Sequence, residues 1–475
     1  MAALRRGLVP AALALAVAGC MVGPDYVRPA APAPAAYKEM QGWKAAQPQD
    51  TAPRGKWWLV FRDPDLDALE AQVDLGNQSI QAAAARVREA QAATDAARAG
   101  LFPGVGAGAS AGRSSRTTGS PSVANAYNAA LDVSWEVDLW GRVRRGVEAS
   151  AATAQASTAD LAAATLSAQA LLAQSYFLLR VQDAQIALLR DTAAGYEKSL
   201  QLTKNQYAAG IVARGDVAQA EAQLKSTQAQ VYDAAISRAQ FEHAIAVLVG
   251  KPPAELAIVP KSLAAVFPVI PVALPSELLE RRPDIAAAER RTAAANAQIG
   301  VAQAAFYPSL SLSAGGGLQS SALGDLLSLP SRYWALGAGL AQTIFDAGLR
   351  SAQKAQAVAA YDETVANYRG TVLTAFQEVE DNLVALSLLE QEAAVQAEAV
   401  AAARQSVTIA TNQYKAGIAT YIAVVVLQAG ALSNERTELA ILARRLSASV
   451  GLIKALGGGW DAADLAPAQR VAASP

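Results

Sequence analysis

Asn205-Gln206-Tyr207-Ala208-Ala209-Gly210-Ile211 recurs 207 positions later as Asn412-Gln413-Tyr414-Lys415-Ala416-Gly417-Ile418. Phe102-Pro103 answers Tyr307-Pro308 at an offset of 205. The apolar series Leu172, Leu179, Ile186, Ala193, Leu200 and Tyr207 steps by seven, and its shifted copy is Val379, Leu386, Ala393, Val400, Val407 and Tyr414. A sustained seven-residue period marks helices packed along a seam. The chain therefore reads as a duplication of one long-helix unit.

The helices are long. No proline lies between Pro121 and Pro252 or between Pro330 and Pro467, and a helix from Arg142 to Lys204 runs about 95 Å at the helical rise. Gly210 and Gly417 stop these helices, and returning helices follow; Leu432, Leu439, Leu446 and Ile453 again step by seven. Hydrophobic residues make up 52% of the chain, much of it alanine, the strongest helix former and small enough for close helix contact.

Four shorter segments alternate with period two. Tyr127, Ala129, Leu131, Val133, Trp135 and Val137 share one face against Asn128, Asp132, Ser134, Glu136 and Asp138. Trp334, Leu336, Ala338, Leu340 and Ile344 oppose Gly337, Gly339 and Thr343, and Val105–Arg113 and Ser309–Gln319 are weaker versions. Such alternation fits a transmembrane β-strand, and equally a half-solvated antiparallel sheet. If the strands span a bilayer, four cannot enclose an open lumen and no edge can stay free. Several chains must then share one barrel.

At the N-terminus, Arg5 and Arg6 precede an apolar run from Leu8 to Val17 and then Val17-Ala18-Gly19-Cys20, the sole cysteine. This is the pattern of a lipoprotein signal: residues 1–19 are cleaved and Cys20 carries a covalent lipid. The thirteen residues Gly7 to Gly19 are too few to span. Met21, where inner-membrane retention favours aspartate, points to outer-membrane sorting. Cleavage moves the formal charge from -1 to -3; this near-neutral balance implies no nucleic acid partner. Pro24, Pro29, Pro32, Pro34, Pro48 and Pro53 make residues 20–60 an extended tether.

Pro275-Ser276-Glu277-Leu278-Leu279-Glu280-Arg281-Arg282-Pro283-Asp284-Ile285, continued by Ala288-Glu289, Ile299-Gly300-Val301-Ala302 and Tyr307-Pro308-Ser309-Leu310, resembles the signature of TolC-like outer-membrane efflux proteins, in their OprM/NodT-type lipoprotein branch. The resemblance runs from Cys20 to about Leu456. It implies an α+β membrane protein: a homotrimer giving four strands per chain to a shared twelve-stranded barrel, continued by a periplasmic helical cylinder. It also implies a periplasmic membrane-fusion adaptor and an inner-membrane pump, of the RND type, as partners. The divisions then expected are a first repeat 61–250 with a hairpin about 104–138 and long helices 142–250, an equatorial linker 251–282, a second repeat 283–456 with a hairpin about 309–345 and long helices 347–456, and a tail 457–475. Type I protein secretion is the rival within the channel class, and a periplasmic adaptor lipoprotein the rival outside it.

No catalytic site, metal set or cofactor is expected beyond the lipid. His243 lies in an Ala- and Val-flanked helical run, Gly104, Gly106 and Gly108 precede strand alternation rather than a helix, and Glu378 and Glu380 read as helix-surface charge. Function instead falls on the tip formed by the turns at Tyr207, Gly210 and Gly417. The resemblance implies that Tyr414 of one helix pair hydrogen-bonds Asp216 of the other as a latch; alternatively Tyr414 ends the seam and Asp216 caps its own helix. Relatives carry one or two aspartates after the second turn, where this chain has Ala423 and Val426. A hydrophobic constriction of Tyr421, Ile422 and Val426, gating by dewetting, is the expectation; the alternative is that these side chains pack between helices, with only Ile422 or Val426 reaching the lumen.

Overall fold

The computed structural model describes residues 21–39, 56–116, 122–263, 267–268, 281–460 and 465. The expected leader 1–19, the expected lipidation site Cys20 and residues 275–280 of the signature lie outside the described residues. A 3-10 turn at Trp57–Phe61 and helices α1 (Pro64–Gly76) and α2 (Gln78–Ala99) precede strands β1 (Gly104–Arg116) and β2 (Ser122–Val137). Helices α3 (Arg142–Ala208) and α4 (Arg214–Leu248) follow. The second half runs α5 (Pro283–Ala304), β3 (Ser309–Ser320), β4 (Arg332–Ala341), α6 (Leu349–Lys415) and α7 (Tyr421–Ala455). In both halves the long helix has 67 residues and its return 35, so α3 and α6 are each about 100 Å long.

The turn motif has a backbone explanation. At Gly210 (φ +74°) the N–H groups of Gly210 and Ile211 donate to the carbonyls of Tyr207 and Gln206, and at Gly417 (φ +75°) those of Gly417 and Ile418 donate to Tyr414 and Gln413. This is a Schellman ending, which satisfies the last carbonyls and requires a left-handed residue that glycine supplies without strain.

The strands form one antiparallel sheet in the order β1-β2-β3-β4. The pairing β2–β3 joins the two halves, with Leu131 opposite Gly316 and Trp135 opposite Leu312. Because the register keeps parity, Val105 and Ala107, Leu131 and Val133, Leu310 and Leu312, and Leu336 and Leu340 all fall on one face. Gly106, Gly108, Asp132, Ser311, Ser313, Gly315, Gly337 and Gly339 fall on the other. Leu131 (59% exposed), Trp334 (78%) and Leu336 (76%) show the first face to be uncovered. A Cβ on Gly317 would lie 2.2 Å from the Ala129 carbonyl oxygen, so that close approach of strands demands glycine. β4 ends at Ala341, leaving Thr343 and Ile344 beyond the strand.

Below the sheet the main core gathers α3, α5, α6 and α7 around Leu172, Tyr176, Leu179, Ile285, Tyr368, Val372, Leu383 and Val450. Ala159 on α3 and Ala286 and Ala287 on α5 make a separate buried contact, with Trp460 and Leu465 packed against it. The apolar seam residues of α3, which by length and composition alone could cross a membrane, are instead largely buried against neighbouring helices.

The tether expectation needs correction. Residues 21–39 are extended but docked along the body, not solvated. Val22 N–H donates to the Trp140 carbonyl (3.0 Å), Asn296 Nδ2 to the Pro24 carbonyl (3.0 Å), and the Lys38 and Glu39 N–H groups to Glu380 (2.7 and 3.0 Å). Met21 sits on Gly141 (φ +81°), where a Cβ would come within 2.2 Å of its Cγ. The cause is polar satisfaction: an extended Pro-rich chain offers backbone groups that buried side chains need. Trp57 and Trp58, also inside the expected tether, are buried in the main core together with Phe61.

Candidate functional site

The tip assembles from the ends of α3 and α6 and the beginnings of α4 and α7. Tyr196 and Leu200 of α3, Ala220 and Leu224 of α4, Ala410 and Tyr414 of α6 and Tyr421, Val424 and Val425 of α7 form its core. The Tyr414 and Tyr421 rings lie 5.4 Å apart at 55°. Burial pushes the Tyr421 phenol up to about 12, so it stays neutral.

Within the chain the Tyr414 hydroxyl donates to Gln206 Oε1, not to Asp216. This corrects the latch expected inside one chain. Asp216 accepts from the Ala213 N–H (3.3 Å), closing the first turn of α4 and lying against the positive end of its dipole. Gln206 belongs to the repeated motif, so the bond still ties the α3–α4 pair to the α6–α7 pair. Tyr207, the counterpart of Tyr414, is 47% exposed, whereas Tyr414 is 7% exposed. The repeated motif sets the backbone turn alike in both halves but not the side-chain surroundings.

The constriction expectation is corrected at one residue. Tyr421 is 3% exposed and packs between helices with Val424 and Val425, whereas Ile422 (59%) and Val426 (63%) are exposed on the opposite face of α7. The helical period separates them: positions 422 and 426 share a face and 421, 424 and 425 share another.

Three buried arginines spaced along the body above the tip were not foreseen. Arg180 donates to Asp183 (3.2 Å), Asp65 (3.3 Å) and the Val259 carbonyl (2.7 Å), pinning the segment after α4 onto α3. Arg282 forks onto Asp284 (3.0 and 2.6 Å) and reaches Glu378 (2.6 Å) and the Ala455 carbonyl (3.2 Å). Arg145 holds Asp25 and Glu148 (each 2.8 Å) and reaches the Val22 and Gly23 carbonyls, fixing the N-terminal strap. Only Arg282 carried a signal in sequence, as the second arginine of Arg281-Arg282-Pro283-Asp284. Glu378 and Glu380, read as free surface charge, are anchors for Arg282 and for the strap. His243 is exposed on α4. Glu70 on α1 is fully buried with both carboxylate oxygens unpartnered among the described residues, and burial raises it to about 9.

At the junction of sheet and helices Trp140 stacks on Tyr307 (4.8 Å, 26°) and its indole N–H donates to the Pro308 carbonyl (2.7 Å), joining the two halves. Arg142 forks onto Glu136 (2.9 and 2.6 Å), and Arg144 donates to Asp138 (3.3 Å). The chain thus offers a sheet with one apolar face and two long helix pairs tied near their turns by the Tyr414–Gln206 bond.

The family model described as "Outer membrane efflux protein" matches residues 63–251 and 274–458, one stretch in each half. The chain is 32% identical over 458 residues to the probable efflux pump outer membrane protein TtgC of Pseudomonas putida, covering 95% of each. It is 31% identical over 435 residues to the pyoverdine export outer membrane protein OpmQ of Pseudomonas aeruginosa, covering 88% of this chain and 90% of that one. The solved outer-membrane channel OprN superposes with a TM-score of 0.87 at 32% identity, over 93% of this chain and all of that one. With both halves matched and the fold shared over most of its length, this chain belongs to the outer membrane efflux protein family.

Proposed function

We propose that three copies of this chain close one twelve-stranded barrel, and that the resulting duct passes small molecules to the exterior from an inner-membrane pump of the RND type and a periplasmic adaptor. One observation carries the reading: a four-stranded sheet, apolar across one face and open at both edges, mounted on helices about 100 Å long. In lipid, the free N–H and C=O groups of β1 and β4 must pair, and only a neighbouring copy offers the matching edge. Exposed residues on the shaft support the same assembly. Tyr232 and Ile236 on α4, and Leu388, Val395 and Ile409 on α6, lie open along seams that neighbouring copies would cover.

We assign lipidation to Cys20. Met21 and Val22 are held at Gly141 and Trp140 beside the foot of β2, so a lipid on the preceding residue enters the membrane at the sheet boundary. Ile422 and Val426, repeated three times, form the constriction in place of an acidic ring. Efflux is favoured over type I protein secretion because the named relatives are efflux and export components.

Single-channel conductance of the purified protein in planar bilayers, with chemical crosslinking, tests this. The expected result is a crosslinked trimer that conducts, and a Val426→Asp variant newly blocked by multivalent cations. A folded protein that crosslinks only as a monomer and stays silent, even with the tip loosened by Tyr414→Phe, refutes the duct.

A further inference from the structure

The outward face of the sheet carries two charges among its described side chains, Arg113 on β1 and Arg332 on β4. Strand register sets this face: Arg113 shares parity with Val105, Ala107 and Ala109, and Arg332 with Trp334, Leu336 and Leu340. Both arginines are exposed, and neither has an ion-pair or hydrogen-bond partner among the described residues. Both lie toward the ends of their strands remote from the helices, Arg332 as the first residue of β4 and Arg113 three positions before the end of β1. At the other end the same face carries Trp135, Val137, Leu310 and Leu340, with no charge. An outward arginine costs about 2–4 kcal/mol at the bilayer midplane and roughly 0–1 near its surface, so the surface is where this placement is tolerated. Position relative to the midplane does not explain why both charges are positive, or why both sit on the two edge strands.

We propose that Arg113 and the partner's Arg332 form a binding site for the phosphate groups of a phosphorylated glycolipid in the outer leaflet. The inference rests on the shared barrel proposed above, because closure is what brings a β1 edge and a β4 edge together. Each seam then places two guanidinium forks on one stripe of the lipid-facing surface. Guanidinium matches phosphate oxygens bidentately and stays charged at any physiological pH. Trp334, two residues from Arg332 on the same face and 78% exposed, supplies an aromatic ring suited to the headgroup boundary. Phosphate in this position also screens two cations that would otherwise repel across the seam.

The test uses the full-length protein in detergent, with bisphosphorylated lipid A, its dephosphorylated form, and phosphatidylglycerol as probes. Native mass spectrometry counts retained lipid on wild type, on the Arg113→Ser/Arg332→Ser double variant, and on the Arg113→Lys/Arg332→Lys control. The expected result is one lipid A per seam on the wild-type trimer, with dephosphorylated lipid bound roughly tenfold more weakly. The serine variant should lose this preference and the lysine variant should keep part of it. Equal retention by the serine variant, or equal competition by phosphatidylglycerol, overturns the site. A wild type that is monomeric yet still shows arginine-dependent retention overturns the seam geometry and the trimer together, while leaving the lipid contact.

Discussion

Removing the Tyr414 hydroxyl should loosen the tip while leaving its packing in place. Tyr414→Phe keeps the ring against Tyr421 at 5.4 Å and deletes only the donor to Gln206 Oε1. Gln206 is only partly buried, so water replaces the lost donor and the cost stays near that of one neutral hydrogen bond, about 1 kcal/mol per chain. In the proposed trimer, three latches released together sum to about 3 kcal/mol, which is roughly a hundredfold in the closed-to-open ratio. Latches released one at a time would instead give about fivefold each, seen as graded sublevels. The assay is open probability of single trimers in planar bilayers. Gln206→Leu and the double variant complete a mutant cycle. If the bond is the latch, the double variant opens no more readily than either single one. Additive effects of the two substitutions, or an unchanged open probability for Tyr414→Phe, would refute the latch.

Three further outcomes follow from the electrostatics. Burial raises Glu70 from an ordinary 4.5 to about 9, so the fold binds a proton that the unfolded chain releases above pH 4.5; stability should fall as pH rises through that window, by up to about 1.4 kcal/mol per unit, and Glu70→Gln should flatten the slope of melting temperature against pH. An identical slope in the variant would exclude Glu70 as its source. Arg282→Met should destabilise by about 2 kcal/mol, less than a fully buried pair would cost because Asp284 and Glu378 are 38% and 41% exposed; denaturant unfolding reads it, and a change below 0.5 kcal/mol, the ordinary range for surface substitutions, would contradict the anchor. Asp132 sits on the polar face of the sheet between Gly106 and Gly315, which is the lumen side of the proposed barrel. It should favour cations, so Asp132→Asn should move the reversal potential in a salt gradient toward zero, most clearly at low ionic strength where screening is weak. No shift there would remove Asp132 from selectivity.

Much of the architecture was legible because two periods are written plainly in the chain. Period seven located α3, α6 and α7, Gly210 and Gly417 ended α3 and α6, and period two gave the faces of β2 and β4. Periodicity says which residues want burial, not which neighbour buries them. That is why Tyr421 read as a pore residue: it opens α7 one position before exposed Ile422, and only the tertiary seat among Tyr196, Leu200 and Tyr414 removes it. The same gap hid the tip bond, since Gln206 and Asp216 are equally plausible acceptors until the helix pairs are placed. Arg145 and Arg180 were illegible for another reason. Their partners include the Val22, Gly23 and Val259 carbonyls, which leave no residue-type signature, and Asp25 and Asp65, which lie more than a hundred positions away in sequence.

The docked strap also bears on the order in which this protein can be made. Asn296 grips the Pro24 carbonyl across 272 positions, and Glu289 accepts from Tyr26 across 263. Trp140 and Arg145 can hold residues 22–25 early, but the seat of Pro24 and Tyr26 is incomplete until α5 has emerged, and the second edge of β2 likewise waits for β3. Contacts this distant in sequence form late and slowly. A chain interrupted before α5 would keep its strap half held and one edge of β2 unpaired beyond its hairpin with β1, with apolar residues and an open strand edge available to proteases and chaperones. Closure of the strap thus separates a finished protomer, ready for its neighbours, from a truncated one.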